Sequence, residues 1–444
     1  MTHFIYNQLM RVLLPFMLLR LKRKSRKQPE YGVRWDERLA RKKITVKSGG
    51  VLFHVASLGE AIAATPIISA FIQQNPNTTV TVTSTTPTGS QQIKQTFSEH
   101  TQVTHCYLPF DLPIIQRRFI DQIKPSVLVL METELWPNLI HHAKRINCRV
   151  MVINARMSER SAKGYRKFAK LTFNMMQKLD LVAAQFDTDA KRFLQLGCRP
   201  DRIKITGNIK FDTRLSPSEQ QNISQFVQNW QLQQPVWLAA STHPGEETQI
   251  LQTHKSLVKK FPDLLLIIVP RHPDRFAQVY DECRTYFATE RKTQIADKPN
   301  ANTQVIVGDT LGEMAYYIAL ANMVFVGGSL VERGGHNPFE SACQEKAILH
   351  GPHVFNFEKS YQILAEYQGC TKVNDKLGLQ TQLAYLITNK SARLALAYQA
   401  KSCQQAFQGA SEHTVQLINT QLNIAHKAAL RREQFTTSKR RVYN

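Results

Sequence analysis

Short runs of aliphatic and β-branched residues alternate with longer helical patterns along most of this 444-residue chain. Runs that are apolar on both faces and separated by helices are typical of parallel strands in a sheet covered by helices. We therefore predict an α/β fold. The predicted strands occupy residues 51–56, 79–84, 127–131, 150–154, 181–185 and 203–207, and then 236–241, 264–270, 303–309, 323–328 and 347–350.

A polar segment bounded by prolines, residues 216–235, separates the two series of strands, and we interpret it as a linker with a short helix. One domain usually holds about 150–200 residues, so a chain of this length suits two domains. The two series of strands predict two Rossmann-like domains that face each other across a cleft. We expect a ligand in that cleft, because ligands bind at the carboxyl ends of parallel strands and pockets are common between domains. The predicted divisions are an N-terminal helix and basic segment (1–47), a first domain (48–214), a linker (215–235), a second domain (236–402) and a C-terminal helix with a basic tail (403–444).

An apolar stretch at residues 4–21 is followed at once by a basic segment. It contains Pro15 and two arginines, Arg11 and Arg20, whereas a helix that crosses a membrane usually has about 20 apolar residues without interior charge. We favour a helix that lies on the membrane surface; a short single span and a soluble helix that covers a core are the alternatives. The positive charge on its C-terminal side predicts that the main body of the protein lies in the cytoplasm.

The chain carries 57 Lys and Arg against 34 Asp and Glu, a formal net charge of +23. Such an excess predicts a polyanionic partner: nucleic acid, an anionic membrane surface or a phosphorylated substrate. Twelve basic residues fall between Arg20 and Lys47, directly behind the apolar stretch, which favours the membrane. Because only Tyr31 and Trp35 are aromatic in that run, and no nucleic-acid-binding motif is present, nucleic acid is not predicted as a partner.

Metal and redox chemistry find little support in the sequence. The seven cysteines are scattered without a CxxC pair, which predicts neither a disulfide framework nor a zinc site and fits a reducing compartment. HExxH and Walker A motifs are missing, and no GxGxxG follows the first predicted strand, so an NTPase or a dehydrogenase is disfavoured. We predict no metal site and no cofactor. His54, His105 and the pair His141–His142 lack ligand spacing and are interpreted as structural or solvated.

The first candidate site is Ser57-Leu58-Gly59-Glu60, between the predicted strand 51–56 and the next helix. A carboxylate at the carboxyl end of a strand can accept a proton from an acceptor hydroxyl, which makes Glu60 a candidate general base. A carboxylate in the first turn of a helix can equally cap that helix and complement its dipole. The residues themselves leave both interpretations open.

Two further candidates follow other strands of the first half. In METELWPN, residues 131–138, Glu132 and Glu134 can bind a sugar or position a hydroxyl; alternatively they cap the helix that begins near Pro137. In GNIKFD, residues 207–212, Lys210 can stabilise a phosphate leaving group; alternatively it is a solvated lysine.

Four loops of the second half form the most coherent pattern, because each begins where a predicted strand ends and each mixes Gly or Pro with polar residues. Glycines let backbone N–H groups approach phosphate, and a helix start provides the positive end of a dipole. Four such loops together predict a binding site for a nucleotide sugar. They are STHPGEE (241–247), PRHPDRF (270–276), GDTLGEM (308–314) and GGSLVERGGHNPFE (327–340).

Nine segments of the chain resemble, in the same order, the 3-deoxy-D-manno-octulosonic acid (Kdo) transferases of lipopolysaccharide synthesis. The resemblance runs from the N-terminal apolar stretch to about residue 425 and implies a GT-B fold and an inverting glycosyltransferase. It implies CMP-Kdo as donor, the lipid A precursor as acceptor, and a place at the cytoplasmic face of the bacterial inner membrane. The segments are VASLGE, TVTSTTPTGS, YLPFDLP, METELWPN, INARMSERS, GNIKFD, STHPGEE, VPRHPDRF and GGSLVERGGHNPFE.

The resemblance also implies roles for individual residues. Glu60 matches the family's catalytic base, and Glu132 and Lys210 match positions that stabilise the transition state. The residues implied to hold CMP are Pro270, Arg271, Gly312, Glu313, Met314, Asn337, Pro338, Phe339 and Glu340.

Two rival classes fit parts of this pattern. Another GT-B glycosyltransferase or a nucleotide-sugar epimerase would share the fold but would not need the N-terminal anchor. A basic scaffold that binds membranes or nucleic acid would explain the charge but not the loops. The expected function is therefore Kdo transfer.

Overall fold

The computed structural model describes residues 2–26, 28–41 and 49–442, with the side chains of 433 and 435–442 excepted. The predicted boundary between residues 47 and 48 lies outside the described residues. So do four lysines of the basic segment, Lys27, Lys42, Lys43 and Lys47.

The chain forms two compact units. The first contains the chain up to Ile209 and again from Gly409 onwards, and the second is Lys210–Gln408. Each unit contains a sheet of seven parallel strands within the described residues, so the α/β prediction is confirmed.

The sheet of the first unit has the strand order β3-β2-β1-β4-β5-β6-β7. Its central strands are buried on both faces: in β4, Leu128 and Leu130 pack into one apolar cluster, and Val127 and Val129 pack into another on the opposite face. This alternation explains why the sequence shows continuous apolar runs rather than an apolar–polar pattern. The strands are β1 (Val51–His54), β2 (Val80–Ser84), β3 (Val103–Tyr107), β4 (Val127–Met131), β5 (Arg149–Ala155), β6 (Leu181–Ala184) and β7 (Ile203–Ile205).

Helices connect these strands and cover the sheet. The long last helix of the chain, α18, packs on α3 and against β4 and β5, so the C-terminal segment completes the first unit. The helices of this unit are α1 (His3–Ser25), α2 (Trp35–Arg38), α3 (Leu58–Gln74), α4 (Pro87–Thr96), α5 (Pro113–Ile123), α6 (Pro137–Arg145), α7 (Glu159–Arg166), α8 (Ala169–Met176), α9 (Asp187–Gln195) and α18 (Ala410–Val442).

Helix α1 continues through Pro15 and is held on the first unit by one side. The Tyr6 hydroxyl donates a hydrogen bond to Asp111 Oδ2 (2.8 Å), and the ring of His3 lies 2.9 Å from Asn138 Oδ1. Met10 is buried, at 8% exposure. The helix is therefore a docked part of the unit at its first turns.

The other side of α1 exposes large apolar side chains. Phe4, Val12 and Phe16 are 70%, 65% and 65% exposed, and Ile5, Leu9, Leu13 and Leu19 extend the same surface. Within the described ranges, α1 is the one helix that is long and apolar enough to cross a membrane, judged by length and composition. We call the surface formed by these seven residues the α1 stripe.

The sheet of the second unit has the strand order β10-β11-β9-β8-β12-β13-β14. Its strands are β8 (Val236–Thr242), β9 (Leu265–Pro270), β10 (Thr289–Arg291), β11 (Val305–Val307), β12 (Met323–Val326), β13 (Ala347–His350) and β14 (Cys370–Lys372). Its helices are α10 (Pro217–Trp230), α11 (Glu247–Val258), α12 (Phe276–Arg284), α13 (Met314–Leu320), α14 (Phe339–Cys343), α15 (Glu358–Glu366), α16 (Lys376–Thr388) and α17 (Lys390–Ala406).

The segment interpreted as a linker contains helix α10 and belongs to the second unit. Ser216 and Glu219 form a capping box at its start, which satisfies two backbone N–H groups that the helix leaves open. Phe226 packs edge-on against Tyr316 of α13, with ring centroids 5.2 Å apart. The polar composition of this segment reflects an exposed helix face.

Candidate active site

Glu60 lies in the first turn of α3, which begins soon after β1. Ser57 is the N-cap of the helix, and its Oγ accepts a hydrogen bond from the Glu60 N–H (3.3 Å). The Glu60 carboxylate accepts hydrogen bonds from the Ala56 N–H (2.8 Å) and the Ser57 hydroxyl (3.1 Å). Glu60 thus has the contacts of a capping carboxylate, and these contacts hold it at the carboxyl end of β1.

The capping contacts do not prevent the Glu60 carboxylate from accepting a proton. Burial raises the pKa of Glu60 to about 7, and the negative charges of Glu134 and Glu132 act in the same direction. The hydrogen bonds from Ala56 and Ser57 favour the charged form and oppose this rise in pKa, but burial outweighs them. A carboxylate with a pKa near the working pH is well suited to accept a proton from a hydroxyl group.

Glu132 and Asn154 hold strained backbone at the ends of two adjacent strands. Their φ angles are 51° and 47°, in the left-handed region that residues other than glycine rarely adopt. The Glu132 N–H donates a hydrogen bond to the Ile153 carbonyl (3.0 Å) at the end of β5. Such conformations cost about 1–3 kcal/mol each, and they cluster at functional sites. β4 lies between β1 and β5 in the sheet, so these strained residues are at the same carboxyl ends of neighbouring strands as Glu60.

Glu134 is the second carboxylate of the loop after β4. Its Oε2 accepts a hydrogen bond from the Trp136 indole N–H (3.0 Å) and lies 3.7 Å from Nε2 of the buried His54. Together with Glu60 and Glu132, it forms a group of three carboxylates at this edge of the sheet.

Asp111 fixes the helix that follows this loop. Its carboxylate accepts hydrogen bonds from the backbone N–H groups of Asn138 (3.0 Å) and Leu139 (2.9 Å) in the first turn of α6. Tyr6 of α1 donates to the same carboxylate. Burial raises the pKa of Asp111 to about 6, although these hydrogen bonds oppose the rise. The carboxylate therefore connects α1 to the start of α6.

Lys210 begins the second unit, so the structure places it in a different unit from Glu60 and Glu132. Its backbone carbonyl accepts a hydrogen bond from Asn337 Nδ2 (3.5 Å). The next residue, Phe211, stacks on Phe339, with ring centroids 4.2 Å apart and planes inclined by 24°. These contacts join the GNIKFD segment to the loop that contains Asn337.

The four polar loops of the second unit lie side by side. They follow β11, β9, β8 and β12, which are consecutive in the sheet and parallel, so their carboxyl ends share one edge. The order across the sheet differs from the order along the chain because β8 occupies the centre.

The Glu246 carboxylate already binds the backbone N–H groups that the glycine-rich loop was expected to offer to phosphate. Its fully buried carboxylate accepts hydrogen bonds from the N–H groups of Gly328 (2.7 Å), Ser329 (3.1 Å) and Leu330 (2.9 Å). Burial raises the pKa of Glu246, and these hydrogen bonds oppose the rise. A buried carboxylate requires several donors, so this part of the loop is shaped by Glu246 rather than left open for a ligand.

Three histidines from three of these loops lie together. His243 Nε2 is 3.0 Å from His336 Nε2, and the ring of His272 lies 5.5 Å from that of His243. Burial first, and nearby cationic groups second, lower the pKa of His243 and of His336 to about 4 each. The cationic neighbours include Arg271 and Arg333, so the cluster lies in positive surroundings suited to an anion.

The histidine cluster was not recognised from the sequence, although a signal was present. A histidine follows the strand end closely in the segments STHP and PRHP, and another stands in GGHNP of the loop after β12. Repetition of one residue type in loops that share one edge of the sheet indicates a shared location.

The residues predicted to hold CMP after β9 and β11 lie at the carboxyl ends of the parallel strands of the second sheet. Pro270 ends β9, and Arg271 is exposed, with its N–H donating to the Thr242 carbonyl (3.0 Å). Gly312 has a φ of 80°, which glycine adopts without strain, and it precedes Glu313 and Met314 at the start of α13.

The predicted residues after β12 differ in their exposure. Asn337 is partly buried, and its Oδ1 accepts a hydrogen bond from the Phe339 N–H (3.1 Å). Pro338 and Phe339 are buried, whereas Glu340 is exposed in the first turn of α14. The Phe339 ring is therefore part of the core, and Asn337 and Glu340 are the polar side chains that this segment presents.

No group of three or more potential metal ligands from His, Cys, Asp and Glu occurs within residues 2–26, 28–41 and 49–442.

Comparison with known proteins gives a family and a fold. A family model described as 3-deoxy-D-manno-octulosonic-acid transferase matches residues 33–213. A 3-deoxy-D-manno-octulosonic acid transferase of Haemophilus influenzae is 37% identical over 425 residues, which cover 95% of this chain and 99% of the relative. One from Bordetella pertussis is 30% identical over 377 residues, covering 82% and 86%.

The solved structure of UDP-GlcNAc 2-epimerase from Neisseria meningitidis is similar in fold. Its TM-score is 0.56 at 14% identity, and the match covers 84% of this chain and 100% of that one. The fold class is GT-B, as the sequence predicts.

Proposed function

The chain belongs to the family of 3-deoxy-D-manno-octulosonic acid transferases, and on this basis we propose that it moves Kdo from CMP-Kdo to the lipid A precursor with inversion at the anomeric carbon. The observation that carries the proposal is similarity over almost the full length of the Haemophilus influenzae relative. Members of this family are glycosyltransferases, and the general enzyme class therefore holds for this chain.

In the proposed reaction, Glu60 is the general base. The acceptor hydroxyl oxygen bonds to the anomeric carbon of Kdo while its proton passes to the Glu60 carboxylate. The bond from that carbon to the phosphate oxygen breaks, and CMP leaves with the electron pair. The pKa of about 7 supports this role, because the carboxylate is available as a base at neutral pH and binds the transferred proton well.

Glu132 and Lys210 are proposed to stabilise the charges that develop. The anomeric centre gains positive character as CMP departs, and a carboxylate such as Glu132 favours that charge. The phosphate gains negative charge, which the Lys210 ammonium group favours. The strained backbone of Glu132 supports a functional reason for its position.

The donor is proposed to bind at the row of loops in the second unit. Arg271 and the positive surroundings of the histidine cluster suit the anionic groups of CMP-Kdo. Asn337 and Glu340 offer polar contacts to the nucleotide. Pro270, Gly312, Glu313, Met314, Pro338 and Phe339 complete the proposed CMP site as the framework of those loops.

We also propose that α1 lies on the cytoplasmic face of the inner membrane. One side of the helix is held by the first unit, whereas the α1 stripe is exposed, which suits insertion of one face into a bilayer. Lys22, Arg23 and Lys24 in its last turn would meet anionic headgroups. The acceptor is itself a phosphorylated lipid of that membrane.

The test is direct transfer by the purified full-length protein. CMP-Kdo and a tetra-acylated disaccharide bisphosphate are supplied, and the products are read by mass spectrometry. The expected product is the glycolipid heavier by one or more Kdo residues, with CMP released in equal amount. CMP-Kdo left intact, with another nucleotide sugar consumed instead, would reject this function in favour of another GT-B enzyme.

A further inference from the structure

His54, at the end of β1, has a nitrogen atom without a hydrogen-bond partner in a buried position. The residue is 1% exposed, and Nε2 is among the buried polar atoms of the described residues that lack such a partner. The carboxylate oxygen Glu134 Oε2 lies 3.7 Å from it. Buried polar atoms are nearly always hydrogen-bonded, so an unpaired one next to a carboxylate requires an explanation.

The other ring nitrogen indicates which tautomer is present. His54 Nδ1 lies 3.0 Å from the Thr83 hydroxyl oxygen, and that hydroxyl donates its hydrogen to the Phe53 carbonyl (3.1 Å). The Thr83 oxygen therefore accepts a hydrogen bond from His54 Nδ1–H. In neutral His54, Nε2 would then carry a lone pair directed at Glu134, which is repulsive if that carboxylate is ionised.

A proton on Nε2 removes this conflict. The imidazolium ring would donate to Thr83 through Nδ1–H and to Glu134 through Nε2–H, after a contraction of about 0.5–1 Å in the gap between His54 and Glu134. The Glu134 carboxylate beside Nε2 is one of three carboxylates whose charges interact, with Glu60 and Glu132, so a cation next to Glu134 is favoured. A further titratable group close to Glu134 is Tyr165, a neutral phenol whose pKa is raised to about 12 by burial and then by the Glu134 charge.

We propose that His54 is a positioning residue that carries a proton on Nε2, holds the Glu134 carboxylate and compensates its charge, so that Glu60 is kept deprotonated and ready to act as the base. This inference rests on the proposed function, because Glu60 needs a free carboxylate only if it accepts a proton during transfer. His54 does not contact substrate and acts through Glu134.

The proposal predicts the effect of removing His54. Without the compensating cation, the full negative charge of Glu134 acts on Glu60 and makes its proton harder to remove. The acid limb of the pH profile of kcat/KM therefore moves to higher pH, by on the order of one unit. Replacing Glu134 as well removes that charge, so the double variant H54Q/E134Q should return the limb towards its original position.

A spectroscopic measurement tests the protonation state without substrate. In the full-length protein with ¹⁵N-labelled histidine, the signals of His54 are assigned with the His54→Gln variant. Both ring nitrogens of His54 are expected to be protonated at pH 7. A neutral ring at pH 7, with either nitrogen deprotonated, overturns the proposal whatever the enzyme's activity.

Kinetic profiles complete the test, with His105→Gln as the control. His105 lies on β3 and has both ring nitrogens hydrogen-bonded, to Val82 O (2.8 Å) and Ser90 Oγ (2.7 Å). Its replacement is expected to lower stability and leave the acid limb in place. A His54→Gln enzyme that is slower but has an unmoved limb shows a merely structural role and overturns the proposal. A wild-type protein without transfer activity rejects the proposed function instead, and the spectroscopic result still decides the state of His54.

Discussion

The Glu246 carboxylate accepts a 2.7 Å hydrogen bond from the backbone N–H of Gly328 and so fixes the first turn of the glycine-rich loop. Gly328 has a φ of 67°, and an added side chain would contact the rings of His243 and His336. The loop backbone, the buried carboxylate and the histidine cluster therefore form one connected structure. This structure holds the loop in the shape that we propose the donor meets.

Glu246→Gln should loosen this loop. The amide has only one acceptor oxygen, and its NH₂ group would face the backbone donors that the carboxylate now binds. Leaving buried donors without acceptors costs about 1–3 kcal/mol, so the free energy of unfolding should fall by that amount. Affinity for CMP should fall as well. Urea unfolding and calorimetric titration with CMP measure the two effects.

Glu332→Gln is the matched control, since Glu332 lies on the same loop and is exposed. It should leave the free energy of unfolding within about 0.5 kcal/mol of the original protein. Equal stability of the Glu246 and Glu332 variants would contradict the role given to Glu246.

Much of the fold follows from the sequence because buried parallel strands give continuous apolar runs. The runs at 51–56 and 127–131 correspond to β1 and β4, at the centre of the first sheet. Three edge strands, β3, β10 and β14, were not predicted, although the edge strand β7 was. β14 (Cys370–Lys372) is three residues long and partly exposed, so its sequence lacks the apolar run on which the prediction depends.

Less of the site could be predicted from the sequence, because contacts between side chains that are distant in the chain have no local sequence pattern. Glu60 is identified by its place after a strand, but its proximity to Glu134 depends on β1 and β4 being neighbours. The sequence alone favours a structural or solvated His54, and only its unpaired Nε2 beside Glu134 indicates more. The role of Glu246 inside a loop about 80 residues further along the chain has no sequence signal of its own.

Glu60→Gln should abolish transfer while CMP-Kdo still binds. The amide keeps the shape of the side chain but cannot take the proton, and general bases contribute about 10²–10⁴-fold to the rate. In the original enzyme, activity should rise with pH through about 7, because the base acts in its deprotonated form. Initial rates between about pH 5 and pH 9 and donor titration measure these effects. Turnover within a factor of about ten of the original enzyme would contradict the assignment.

The same substitution should change the pH dependence of stability. Folding raises the pKa of Glu60 from 4.5 to about 7, so its contribution to stability is fully present below about 4.5 and is lost as pH rises through 7. The Glu60→Gln variant has no such loss. Its stability relative to the original protein should therefore increase between pH 4.5 and about 7, by up to about 3 kcal/mol. Urea unfolding at about pH 5 and pH 8 measures the change, and a constant difference would show that folding does not raise the pKa of Glu60.

Lys210→Ala should slow chemistry more than it weakens acceptor binding. The substitution removes the ammonium group and keeps the backbone carbonyl that Asn337 contacts, so the local backbone is retained. Loss of one group that stabilises developing charge lowers kcat by about 10²–10³-fold. Steady-state kinetics with the acceptor varied separate kcat from KM. Lys204→Ala, at an exposed position of β7, is the control and should keep its rate; an unchanged rate in the Lys210 variant would reject its role.

Replacing Phe4, Val12 and Phe16 by serine should reduce binding to vesicles that contain anionic lipid. These side chains are exposed, so the free energy of unfolding should hardly change. Each loses about 1 kcal/mol of apolar insertion, and the triple variant should bind about 100-fold more weakly. Vesicle sedimentation at two salt concentrations measures this affinity together with the contribution of the basic residues.

Leu377→Ser tests whether this loss is specific to the α1 stripe. Leu377 is 65% exposed on α16 of the second unit, so its replacement removes one exposed apolar side chain away from α1. Vesicle binding of this variant should equal that of the original protein. If the triple variant of α1 also binds as tightly as the original protein, the α1 stripe does not insert and the membrane contact belongs to another surface. If it binds more weakly only at high salt, the basic residues supply most of the attraction at low salt and the stripe supplies the remainder.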